Sequence, residues 1–288
     1  MKAIHEPAGF NPEQLLLQAH QVILPDPNGH KPACLNLKKQ AIKVGVDLGT
    51  AYTVLVVLDE HGQPLGGEYR FTQVVRDGLV VDYFGAVNTL QAMKRKVEDR
   101  LGLTLEHAAS GYPPGVPSAE VRATAHVVQA AGMDCRNLID EPTAANQVLG
   151  IQNGVIVDIG GGTTGIAVIE NGEVIYTADE TTGGTHFNLV IAGGANISFE
   201  EAEILKKDPS EQSQLFPLIR PVMEKMGTIV ARHIQGRDVS SIILVGGTTL
   251  FPGIAGVIQE VTGVPTEVPE HPLFVTPLGI AMYDSHGE

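Results

Sequence analysis

Apolar residues fall in two rhythms along this chain, and their alternation predicts an α/β protein. Near-continuous runs of Val, Ile and Leu, the pattern of strands buried on both faces, occur at 41–48, 52–58, 155–159, 164–169 and 241–245. Shorter strands are expected near 105–110 and 173–179. Between these runs apolar positions recur at helical spacing. Phe84, Val87, Leu90, Val97 and Leu101 follow Asp82, a candidate N-cap. Further helices are expected at 118–131, at Phe199–Lys207, and at 216–235 beyond the break Asp208-Pro209-Ser210. Residues 1–40 stand apart. Leu15, Leu16, Ala19, Val22 and Ile23 mark a short amphipathic helix behind a start at Asn11-Pro12-Glu13, and PDPNGHKP at Pro25–Pro32 reads as a turn-rich linker. The helix either docks on its own chain or meets a partner. Its removal is expected to leave the site intact, because the glycine motifs begin only at Val44.

Glycines break the apolar runs where chemistry is expected. VIVDIGGGTTGIAVI, Val155–Ile169, is a strand, a carboxylate, three glycines, two threonines and a second strand. Three consecutive glycines pack nothing, so they suit a backbone that comes against a ligand and turns its N–H groups toward an anion. Asp158 just ahead of them can hold a hydrated cation beside that anion. VGVDLGTAYTVLVV, Val44–Val57, is a near copy, with Asp47, Gly49 and Thr50 in the corresponding places. Two such hairpins, each opening one half of the chain, make one site when the halves face each other. LIDEPTAAN, Leu138–Asn146, ends a strand in two carboxylates, puts Pro142 in the first helical turn, and offers Ala144 and Ala145 for close helix packing where two halves cross. TTGGTHF at 181–187, with Gly183 and Gly184, opens a helix whose amides could meet an anion. SIILVGGTTLFP at 241–252 places Gly246 and Gly247 at the carboxyl end of a buried strand, where open α/β sheets receive ligands.

Composition narrows the function. The 288 residues carry a net charge of −14, with Lys94, Arg95 and Lys96 as the one basic cluster, so a nucleic-acid or anionic-membrane partner is not expected. Cys34 and Cys135 have no metal-ligand spacing. No apolar run reaches the roughly 18 residues of a membrane span, and no leader pattern is seen, so a cytoplasmic protein is expected.

Five elements in order, VGVDLGTAYT, LIDEPTAA, VIVDIGGGTTG, IILVGGTTLFPG and TPLGIAM, resemble the nucleotide-binding signature of the actin, sugar-kinase and heat-shock-chaperone ATPase superfamily over residues 42–283. That resemblance implies a two-lobed actin-like ATPase fold with duplicated ribonuclease-H-like lobes: 41–142 plus 274–288 as lobe I and 143–273 as lobe II. It implies ATP or ADP with Mg²⁺ in the cleft. Asp47, Glu141 and Asp158 would surround hydrated magnesium, with Asp158 or Glu141 orienting the attacking water. Gly49, Thr50, Ala51, Tyr52, Gly160, Gly161, Gly162, Thr163 and Thr164 would serve the phosphates, and Glu203, Lys206 and Lys207 would flank adenosine opposite Gly246, Gly247 and Thr248. Within the superfamily the chain is most similar to the compact, chaperone-like members of ethanolamine utilisation. This implies protein clients among that pathway's enzymes or the shell proteins of a bacterial microcompartment. VVRDGLVVDY is similar to the bacterial rod-shape actin, which implies filament assembly as an alternative, and a small-molecule kinase is a further one. Two features depart from the pattern. Gly165 stands where relatives carry an aspartate, so slow turnover and a gain from Gly165→Asp are expected; and the first half shows no lysine counterpart for the γ-phosphate.

Overall fold

A computed structural model describes residues 11–23, 41–76 and 79–284; the linker expected at Pro25–Pro32, and Cys34, lie outside the described residues. Two five-stranded sheets carry the fold. The first contains β1 (Ile42–Leu48), β2 (Tyr52–Asp59), β3 (Pro64–Phe71), β6 (His107–Tyr112) and β7 (Asp134–Asp140), in the order β3-β2-β1-β6-β7. The second contains β8 (Gly154–Ile159), β9 (Thr164–Glu170), β10 (Glu173–Glu180), β11 (Ile242–Val245) and β12 (Thr266–Glu267), in the order β10-β9-β8-β11-β12. Each is an antiparallel three-strand meander extended by two parallel strands on the far side of its first strand. The repeated glycine hairpins are therefore the β1–β2 and β8–β9 turns of two like-built halves. A small hairpin of β4 (Val75–Arg76) and β5 (Leu79–Val80) leads into α2 (Tyr83–Leu101), where Asp82 accepts from the Gly85 amide as N-cap.

Helices fill the outer faces. α2 and α3 (Ser118–Ala130) cover the first sheet. The second is covered by α5 (Thr185–Ala195), α6 (Phe199–Lys207), α7 (Gln212–Ile234) and α8 (Ile254–Thr262). α7 starts one turn earlier than its apolar pattern suggests and runs through Pro217 and Pro221, because Leu215, Ile219, Met223, Met226 and Val230 bury one continuous stripe.

Two short helices join the halves. α4 (Glu141–Leu149) leaves β7 and packs on β8 and β9, while α9 (Val275–Met282) follows the second sheet and packs on β1, β2 and β6. They cross at backbone contact, since a Cβ at Gly279 would lie 1.8 Å from the Ala144 carbonyl oxygen, and α9 lies as tightly on β1, where a Cβ at Gly45 would lie 2.5 Å from the Ala281 nitrogen. The small residues of LIDEPTAAN and TPLGIAM are thus the surfaces of this crossing. Behind α9, Asp284 is fully buried, accepts from the Val44 amide (2.9 Å) and meets His107 Nδ1 (2.6 Å), tying the chain's return to the first sheet.

The first helix is not separable from this body. α1 (Pro12–Ile23), capped by Asn11 accepting from the Glu13 amide, buries Leu15, Leu16, Ala19 and Ile23 against β3 and the turn Pro272–Phe274. Gly67 of β3 is the notch that admits it, since a Cβ there would lie 2.8 Å from Ile23 Cγ1. His20 stacks on His271 with ring centroids 3.8 Å apart.

Two stability outcomes are expected. Gly279→Ala forces a methyl into backbone and should cost about 1–3 kcal/mol, as overpacking does, read as a lower chemical-denaturation midpoint. Deleting residues 1–23 removes Leu16 and Ile23, both fully buried, and should cost about 3 kcal/mol or more at 1.5–3 kcal/mol per buried aliphatic side chain. A thermal melt unchanged by the deletion would contradict this packing.

Candidate functional site

A cleft of about 950 Å³ lies between the halves. Its floor is built by the two hairpin turns, and both turns close in the same way: Gly49 N donates to the Tyr52 carbonyl (3.0 Å), and Gly160 N donates to the Thr163 carbonyl (3.1 Å). These two glycines shape the turns and have no amide left for a ligand. Among the described residues the amides of Thr50, Ala51, Gly161, Gly162 and Thr163 have no backbone partner, and all five residues line the cleft. The turns touch: a Cβ at Gly161 would lie 2.6 Å from Ala51 Cβ.

The second turn is pinned from behind. The Gly160 carbonyl accepts from Gly184 N (3.0 Å) and from Thr248 Oγ1 (2.7 Å), and the Gly161 carbonyl accepts from Thr185 N (2.8 Å). This corrects the expectation for TTGGTHF. The first amides of α5 are spent holding the glycine turn and do not open onto an anion. Gly183 is a spacer outside the cleft wall, where a Cβ would lie 2.6 Å from the Gly161 carbonyl oxygen. Thr164 is also off the wall, buried with its hydroxyl donating to the Thr182 carbonyl (2.5 Å).

Asp47 and Asp158 are the penultimate residues of β1 and β8, and Glu141 is the first residue of α4; all three line the cleft. Solvent reaches them in part, but protein rings them, and this desolvation disfavours charge. Burial first, then the neighbouring Asp158, pushes Asp47 up to about 7. Glu141 is held well above the usual carboxylate range by burial, then by Asp47, Asp158 and Asp179. Asp158 is raised by burial, against the opposing hydrogen bond from Thr276 Oγ1 (2.7 Å).

On the other side, Glu203 of α6 is buried and meets Lys206 (2.5 Å), Lys207 (2.7 Å) and the Asn188 amide (2.8 Å). Lys207 reaches across the cleft to the Tyr52 hydroxyl and lies 4.9 Å from the Tyr52 ring centroid and 5.3 Å from that of Phe71. One lysine thus bridges the two halves. Gly246, Gly247 and Thr248 line the same cleft. Of the residues expected at the site, only Thr164 and Gly183 fall outside its lining.

Several lining residues are not among those expected at the site. Arg76 of β4 is a cation contributed by the first half, inside the VVRDGLVVDY stretch that is read for its likeness to the rod-shape actin and not for the cleft. Asn188 sits mid-helix in α5, and His20, Tyr69 and Phe71 arrive from α1 and β3.

A pH dependence follows. Because the folded pKa of Asp47 exceeds its unfolded value, the folded state binds the extra proton, and the associated stability is lost as pH rises from about 4 toward 7. In metal-free, nucleotide-free protein, Asp47→Asn should therefore gain stability relative to the unaltered chain as pH is raised from 5 to 8. Parallel melting curves at constant ionic strength measure this difference.

Comparison with known proteins agrees with this architecture. A family model described as type IV pilus assembly protein PilM matches residues 92–275. The chain is 43% identical over 239 residues to the ethanolamine utilization protein EutJ of Escherichia coli strain K12, covering 83% of this chain and 84% of that protein. The crystal structure of EutJ from Carboxydothermus hydrogenoformans superposes with a TM-score of 0.83 at 46% identity, covering 94% of this chain and 98% of the other. MreB5 of Spiroplasma citri bound to AMPPNP superposes with a TM-score of 0.67 at 18% identity, over 83% of this chain and 94% of that one, a likeness of fold alone. With the duplicated sheets, the crossing helices and the facing glycine turns, these matches establish an actin-like ATPase fold, and the chain belongs to the family of ethanolamine utilization protein EutJ.

Proposed function

We propose that this chain binds ATP and ADP with magnesium in the cleft, and that nucleotide-dependent closure of its halves acts, in the manner of a chaperone, on protein clients of ethanolamine utilisation, enzymes or microcompartment shell proteins. The observation that carries the reading is the contact of the two glycine turns, which leaves unspent amides from both halves facing one cleft. The amides of Thr50, Ala51, Gly161, Gly162 and Thr163 hold phosphate oxygens, with Arg76 supplying positive charge from the first half. Adenosine lies between the Glu203, Lys206 and Lys207 cluster and Gly246, Gly247 and Thr248.

The carboxylates fit a cation, since Asp47, Glu141 and Asp158 are desolvated together and each is raised by that burial. Among the described residues no three His, Cys, Asp or Glu side chains converge closely enough to ligate a metal directly. Asp47 and Asp158, with Glu141, would hold magnesium through water. Bound magnesium supplies charge neutralisation of the phosphates. Hydrolysis requires Glu141 or Asp158 to accept a hydrogen bond from the attacking water, and both stand at the cleft floor.

Closure has a structural route. α4 begins at Glu141, and α9 carries Thr276, bonded to Asp158, so both crossing helices start at the floor on which the phosphates would rest. No described helix is long and apolar enough to cross a membrane, in keeping with a cytoplasmic role. A nucleotide-dependent assembly is the second reading, favoured by the exposed Val81 (55%) and Phe84 (77%) beside the β4–β5 hairpin.

Saturating ATP or ADP with magnesium is expected to stabilise the fold by about 2.7 kcal/mol at 100 times the dissociation constant, read as a rise in the thermal midpoint. No rise with either nucleotide would overturn the reading. Sedimentation with ATP separates the two outputs: a species of unchanged size supports client handling, and a pelleting polymer supports assembly.

A further inference from the structure

Three strands of the second sheet line up one row of residues at the site. Asp158 of β8 pairs with Gly165 of β9, and Gly165 pairs with Asp179 of β10. Directly paired residues share a face of the sheet, so the two carboxylates stand on one face, separated by the only residue type that has no side chain. Two strand spacings put their backbones about 9–10 Å apart. The opening between them is real space. A Cβ at Gly165 would lie 3.7 Å from Asp179 Oδ1, 3.8 Å from the Asp158 carbonyl oxygen and 3.9 Å from Asp158 Cβ, with no closer neighbour. Backbone strain does not require the glycine, since Gly165 is absent from the positive-φ residues.

Asp158 leans toward the far side of its strand, one oxygen accepting from Thr276 and the other lying 2.4 Å from where a Gly246 Cβ would be. Asp179 leans in over Gly165 from the opposite side, with Oδ1 out of solvent contact.

We infer that Gly165 is a window kept open between Asp158 and Asp179, and that Asp179 is a positioning residue that orients the water shell of the cleft's cation across it. The inference rests on the nucleotide and magnesium reading above. It revises the expectation for Gly165→Asp: a third carboxylate there would stand between two others, closing the window and adding like charge.

The test is calorimetric titration of ADP, with and without Mg²⁺, into the full chain and two variants. Asp179→Asn keeps the shape and removes the charge. Gly165→Ala meets only ordinary contacts, so it folds, yet its methyl fills the window. The unaltered chain is expected to bind ADP more tightly with Mg²⁺ than without, and each variant should lose about tenfold of that gain, as loss of an outer-shell partner does. Affinity for ADP alone should stay unchanged, which a merely structural role would not leave so. A Mg²⁺ gain equal to the unaltered chain's in either variant overturns the window while leaving the nucleotide reading in place. Absence of ADP binding by the unaltered chain overturns both.

Discussion

The fold depends on one close approach, the crossing of α4 over α9 where Gly279 lies against the backbone of Ala144. At Gly279 no side chain fits between these helices, so their separation there is fixed by main-chain atoms. What lies at the helix starts gives this crossing its consequence. Glu141 is the first residue of α4, and Thr276 near the start of α9 is bonded to Asp158. A ligand that changes the charge or position of Asp158 and Glu141 therefore acts on the ends of both joining helices.

The cleft itself is electrostatically divided. Its floor concentrates carboxylates whose burial and mutual repulsion disfavour ionisation, while its opposite wall concentrates Lys206 and Lys207 around the buried Glu203. A ligand with an anionic end and a cation beside it satisfies the floor, because the cation restores the carboxylates' charged state while the turn amides take the anion. Lys207 bridges the halves through Tyr52 and Phe71. α1 spans them from the other end, resting on β3 of the first sheet and on the turn at Pro272–Phe274 that leads out of the second.

The local devices of this protein were readable in its sequence because each is a backbone requirement written in adjacent residues. Asp47 with Gly49, and Asp158 with Gly160–Gly162, mark turns that only glycine-rich segments make; the duplication of apolar strand, aspartate and glycine told of two halves; Ala144 and Ala145 announced a close crossing. What the sequence could not decide was which backbone groups would meet. The amides that open α5 looked free and are taken by Gly160 and Gly161. The first helix could dock on its own chain or meet a partner, and the notch at Gly67 makes it part of the core. Gly165 reads as a missing carboxylate, and only strand register shows that Asp179 pairs with it. Local turn geometry and hydrophobic periodicity are properties of neighbours in the chain and so are legible there. Strand register and helix docking join residues far apart in sequence, and only the packed tertiary structure selects among the pairings that the same periodicity allows.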